Sequence, residues 1–172
     1  MNYHNHNQLF GFTLIELLIV IGIIAVLAAL TFVGVNPMKR FKQARDTERR
    51  TASDAILNAI LKYQTDNNGA LPWTPADTNP RMLGTAASGC NVCAATTTPS
   101  ACLDLSGNLV NEYLDGMPID PYVGAATWTS AITGYYVQID EIPSSLAGTS
   151  GRLTVGACEP ELNANKPIKT SR

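Results

Sequence analysis

From Phe12 to Val35 the chain runs for 24 residues with a single ionisable side chain, Glu16. As a helix, that run is about 36 Å long, enough to cross a bilayer with some tilt. The pattern then changes. Ala52, Ile56, Ala59, Ile60 and Tyr63 recur at the spacing of one apolar helix stripe, while Ser53, Asp54, Asn58 and Lys62 fall on other faces. Asn67-Asn68-Gly69, with Pro72 beyond it, reads as a stop. Together the two halves predict one helix from Phe12 to about Asp66, about 80 Å long. Gly34, Asn36 and Pro37 interrupt it. Pro37 lacks a backbone donor and crowds the preceding turn, so a kink is expected at Gly34 and Pro37.

Downstream the periodicity weakens. Residues 70–108 are rich in Pro, Gly, Thr and Ser and read as loop. A short helix is expected within Leu103–Leu114, with Leu105, Leu109, Val110 and Tyr113 on one side. The runs Gly134–Ile139 and Arg152–Ala157 are β-branched or aromatic with partial alternation, and predict an antiparallel hairpin. Trp128, between Thr127 and Thr129, is the candidate third strand. The sheet's inner face would pack on the stripe at residues 52–63 and its outer face would be polar. The tail from Asn163 to Arg172 is expected to be loose. The fold class is α+β: a long N-terminal helix packed on a small antiparallel sheet. Residues 12–35 form its membrane-spanning half, 36–66 its amphipathic half and 67–172 a head.

Charge is unevenly divided. Residues 1–65 carry seven Lys/Arg against four Asp/Glu, and residues 66–172 carry five against ten. The densest cluster, Lys39, Arg40, Lys42, Arg45, Arg49 and Arg50, follows the apolar run. Lipid phosphate, nucleic acid or an acidic partner would suit it. With Asp46 and Glu48 interspersed, the plainer expectation is a solvated helix face beside a membrane.

Cys90, Cys93, Cys102 and Cys158 all lie beyond the apolar run. An even count in a loop-rich region points to two structural disulfides formed in an oxidising compartment, with three pairings open. Cys90-Asn-Val-Cys93 lacks the strand–helix context of a redox motif. Both histidines, His4 and His6, lie on the other side of the apolar run from the cysteines, which argues against zinc. No glycine-rich phosphate loop follows a strand and there is no serine elbow. Asp115 and Asp120 lie in turn-like sequence, where capping is the simpler role. No enzyme activity is expected.

The N-terminus carries the specific signal. A polar stretch, residues 1–11, leads directly into Gly11-Phe12-Thr13-Leu14-Ile15-Glu16. The apolar core is too long for a secretory signal, and basic helix follows in place of a small-residue cleavage site. A carboxylate in a spanning segment costs ~2.5–3.5 kcal/mol near the bilayer centre and less near an end. Glu16 lies near an end, where snorkelling to headgroups is the simplest account.

The string Gly11–Glu16 resembles the processing motif of type IV prepilins and of type II secretion pseudopilins, and the likeness continues through the apolar run. The resemblance implies cleavage after Gly11 by a membrane prepilin peptidase and methylation of the new amine at Phe12. It implies that Glu16 pairs with the amine of a neighbouring subunit and sets register during assembly. Either charge alone is expensive in a dry bundle, and pairing offsets much of that cost. The implied partners are further copies of the chain in a helical filament, the peptidase, an assembly platform with its ATPase, and membrane lipid before assembly. Extracellular DNA is a further partner the basic cluster would allow.

The resemblance also implies topology. The leader has no Lys or Arg, and the positive-inside rule alone would put residues 39–50 in the cytoplasm. The motif requires the reverse, because the peptidase reaches Gly11 from the cytoplasm and the cysteines need an oxidising side. The expected locations are therefore the cytoplasmic membrane for a single-pass precursor and the cell surface or an extracellular filament once assembled. Met117-Pro118-Ile119-Asp120-Pro121-Tyr122 resembles the P-x-D-P segment before the sheet of major pseudopilins. Such proteins often hold calcium in a downstream acidic loop. Asp140 and Glu141 do not reproduce that loop, so calcium is the one cofactor to weigh and none is expected. Three readings follow: a pilin serving adhesion, twitching motility or DNA uptake; a type II secretion pseudopilin; and a membrane-anchored binding protein that does not polymerise.

Overall fold

The computed structural model describes residues 11–93, 101–121, 128–140, 151–162 and 167–172. The chain divides into two units, one ending at Arg40 and the other running from Phe41 to Arg172.

The first unit is dominated by α1, Leu14–Val35. Thr13 caps it, its hydroxyl accepting from the Glu16 backbone N–H at 3.3 Å. The large apolar side chains described between Leu14 and Phe32 are all at least half exposed. A helix apolar on every side has no face to give to water and needs lipid or other helices around it.

The helix break falls on a single residue. Asn36 adopts a left-handed conformation, φ 44°, and ends α1. It also opens α2, Pro37–Asp66, where its side-chain oxygen accepts from the Lys39 N–H. The one helix expected over residues 12–66 is therefore two. Pro37 occupies the first position of α2, where a missing N–H costs nothing, and Gly34 lies in the last turn of α1.

The second unit is built on α2 and a four-stranded antiparallel sheet in the order β1-β2-β3-β4. The strands are β1 Arg81–Met82, β2 Tyr135–Ile139, β3 Leu153–Ala157 and β4 Ile168–Ser171. The expected hairpin is β2–β3, with Val137 opposite Val155. Two other expectations fail. Trp128 and Thr129 supply no strand, Thr127 lies outside the described residues, and Trp128 packs against the cluster of Met82, Cys90, Val92 and Tyr136. The described end of the tail is not loose, because Ile168–Ser171 pairs with β3 from Ala157 back to Thr154, while residues 163–166 lie outside the described residues. The short helix, α3, is Ser106–Leu109.

Alternation along β2 builds two cores. Tyr135 and Val137 join Val155, Ala157 and Ile168 against Ile56, Leu57, Ala59 and Ile60 of α2. Tyr136 points the other way, onto Met82, Cys90 and Val92. The outer face is therefore covered by the cysteine-bearing loop rather than polar. Close packing there requires Gly156, because a Cβ at that position would lie 2.6 Å from the Tyr136 ring.

Candidate functional site

The N-terminal segment presents one charge on an otherwise apolar surface. Thr13 and Glu16 have the spacing of a capping box, of which the Thr13 half is formed. In the first turn the Glu16 carboxylate sits near the positive end of the helix dipole. Glu16 has no ion-pair partner among the described residues. Gly11 is exposed, with open space where a Cβ would lie, and Phe12 is 83% exposed. Residues 1–10 of the leader lie outside the described residues.

The second feature was not expected. The charge pattern predicts a solvated basic face for Arg49, yet its side chain is fully buried. Its Nε donates to Asp120 Oδ2 at 2.9 Å and its Nη2 to Asp120 Oδ1 at 2.8 Å, a bidentate pair. Its Nη1 donates to Asp46 Oδ1 at 2.8 Å and Glu161 Oε1 at 3.2 Å. Arg45 closes the outer side with two hydrogen bonds to Glu161. Asp46 accepts the backbone N–H groups of Glu161 and Leu162, both at 3.0 Å. Two distant segments, the one holding Asp120 and residues 161–162, are thus tied to the first half of α2.

Local backbone explains how Asp120 reaches Arg49. Its N–H donates to the Thr133 carbonyl at 2.9 Å. Gly134, at φ 84°, leaves the space, since a Cβ there would lie 2.7 Å from that of Asp120. Asp120 is therefore an ion-pair residue, not the cap expected of it.

Electrostatics follow from these contacts. Burial alone would lower the Arg49 pKa; hydrogen bonding and charge from Asp120, then Asp46 and Glu161, outweigh it and hold it above the ordinary arginine value. The Arg45 hydrogen bonds hold the Glu161 carboxyl below the usual carboxylate range, with Arg49 adding to them. Burial pushes the Tyr135 phenol up, and nearby Asp120 pushes it further.

One sequence signal was available. Asp46, Arg49, Ser53, Ile56 and Ile60 continue the apolar stripe back toward the start of α2 at alternating steps of three and four. Arg49 sits on the buried face by position, even though its residue type argues for solvent.

The cysteines pair as Cys90–Cys102 and Cys93–Cys158. The first closes a short loop and the second ties that loop to the end of β3. No group of three or more His, Cys, Asp and Glu among the described residues is placed to hold a metal. Asp140 faces Arg152 at 4.0 Å, and Glu141 lies outside the described residues. Of the six clustered cations, Arg45 and Arg49 are committed to the ion cluster, while Lys39, Arg40, Lys42 and Arg50 are exposed.

No curated protein and no solved structure matches the chain. One family model does: the prokaryotic N-terminal methylation motif, over residues 10–32. Gly11, Phe12 and Glu16 all lie inside that match, which identifies residues 10–32 as the prepilin-type motif of type IV pilins and pseudopilins.

Proposed function

We propose that the chain is a structural subunit of a type IV pilus-like filament, made as a membrane-anchored precursor, cut after Gly11 and methylated at Phe12. The observation that supports this most is α1 itself. It is apolar on all sides, exposed from Leu14 to Phe32, and carries one acid, Glu16, in its first turn with no ion-pair partner among the described residues. Cleavage creates an amine at Phe12, four residues from that acid. In the bilayer, the Glu16 carboxylate reaches the headgroups. In a bundle of α1 helices it meets the Phe12 amine of a neighbouring copy, and the pairing offsets the desolvation of both.

Intact mass of the mature chain tests processing. Loss of residues 1–11 with gain of one methyl group is the expected result, and a full-length chain overturns the reading. A second reading, a pseudopilin of a type II secretion system, is favoured by Pro118-Ile119-Asp120-Pro121, whose aspartate is locked to Arg49. Electron microscopy of sheared surface material, labelled with antibody to the head, separates the two. Long filaments support the pilus; mature protein confined to the envelope supports the pseudopilin.

A further inference from the structure

The middle and the C-terminal end of α2 carry charges that the fold leaves unused. At mid-helix, Arg50, Ser53 and Asp54 form one wall of a cleft of about 310 Å³, and Pro167–Thr170 form the other. Arg50 and Lys169 are exposed cations at its rim. The Ser53 hydroxyl is buried with no hydrogen-bond partner. Asp54 also lines the cleft, leaving it with one net positive charge. Sixteen residues further along α2, about 24 Å, is Asp66. Tyr113, edge-on to Tyr63 at a ring separation of 5.9 Å, ties the Asn111–Asp115 turn to that end of the helix. Glu112 and Asp115 are exposed on this turn, and Lys62 is the one cation in the adjoining turn of α2. None of Arg50, Lys169, Glu112 and Asp115 has an ion-pair partner among the described residues.

We propose that the cleft between α2 and β4 receives the acidic Glu112–Asp115 turn of a second copy of this chain. The contact uses two different patches, so it repeats from copy to copy, as a filament requires and a closed dimer does not. Every copy carries both halves. Because the charges are exposed, the contact weakens with salt and sets the register of neighbouring heads rather than supplying most of the cohesion. It rests on the polymerising reading above.

The test is zero-length carbodiimide coupling of the full-length-expressed, mature protein in its own envelope, followed by peptide mapping of dimer-sized species. The expected product joins Lys169 to Glu112 or Asp115, and it disappears in Lys169→Arg, which keeps the charge but cannot be coupled. Reversing one side, Arg50→Glu with Lys169→Glu, is expected to lower filament yield at least about tenfold. Adding Glu112→Lys and Asp115→Lys restores yield to within about twofold if the two patches meet. Lys169 coupling only to other carboxylates or other proteins overturns the proposal. So does failure of the four-residue reversal to restore yield while mature chain is at parental level. Filaments in the parent without the Lys169 link overturn the docking and leave polymerisation standing. If the parent makes no filaments, the polymer reading falls, and the presence or absence of the same link in membrane extracts decides the docking.

Discussion

Arg49 and Glu16 each place a charge where apolar residues dominate, and the chain treats them in opposite ways. Arg49 is buried, and three carboxylates from three segments surround it. Glu16 stands on an exposed apolar helix with no counter-charge among the described residues. A buried charge that the fold can pair becomes part of the head. A charge that the fold leaves unpaired needs a partner from outside the subunit. On the proposed polymerising reading, the difference separates what folding completes from what assembly completes.

The sharpest way to break this comparison is to remove the charge that awaits a partner. Glu16→Ala should insert, be cut after Gly11 and accumulate as mature chain, because the cleavage site and Thr13 cap remain. Filament yield should fall at least about a hundredfold, since the Phe12 amine would be buried alone, at several kcal/mol. Abundant normal filaments would show that the carboxylate is dispensable. The head's unfolding midpoint should not move.

Arg49→Met is the converse. It leaves Asp46, Asp120 and Glu161 facing one another, and should destabilise the head by about 3–5 kcal/mol. Urea unfolding of the full chain in detergent, followed by the tryptophan signal, measures this. Arg49→Lys should recover only part of the loss, because an ammonium cannot reproduce the bidentate contact with Asp120. Full stability in Arg49→Met would mean that the cluster is not holding the segments together.

A neutral control sharpens the same contrast. Gly156→Ala puts a methyl 2.6 Å from the Tyr136 ring, on the face covered by the disulfide loop. Because Tyr136 is itself buried against Met82, Cys90 and Val92, it has little room to yield. The expected cost is about 1–3 kcal/mol in the same urea experiment. This loss arises from packing, so it should be insensitive to pH between neutrality and mild acid. A pH-dependent loss would implicate the ion cluster instead.

Much of this contrast was legible in the sequence at the N-terminus and little of it in the head. Gly11, Phe12 and Glu16 are local: their meaning depends on adjacent residues and on one long apolar run. The stripe through Ile56 and Ile60 and the β2–β3 hairpin were legible for the same reason, because a repeating pattern records which face is buried. The Arg49 cluster joins residues up to 116 positions apart, and nothing local announces such a meeting. Ser53, polar and expected at the surface, is buried for its small size on the helix face nearest β4. Strand β4 was missed because Ile168-Lys169-Thr170-Ser171 has too few apolar residues to stand out, and only its pairing with β3 makes it a strand.

The smallest expected effect concerns the outer edge of the cluster. Arg45, more exposed than Arg49, holds Glu161 by two hydrogen bonds, and these depress the Glu161 carboxyl in the folded chain. A depressed folded pKa means that the unfolded chain binds the proton more readily. The stabilisation is then complete above the ordinary carboxyl value of 4.5 and is lost as pH falls through that value toward the folded one. Parent and Glu161→Gln should therefore differ by about 1 kcal/mol at neutral pH, the scale of a partly exposed pair. The two curves should converge as pH drops below 4.5. Asp46 and Asp120 are common to both chains, so the difference isolates Glu161. A gap that stays constant into acid would mean that the residue acts through shape alone, and that only the inner, fully buried contacts of Arg49 carry charge-dependent stability.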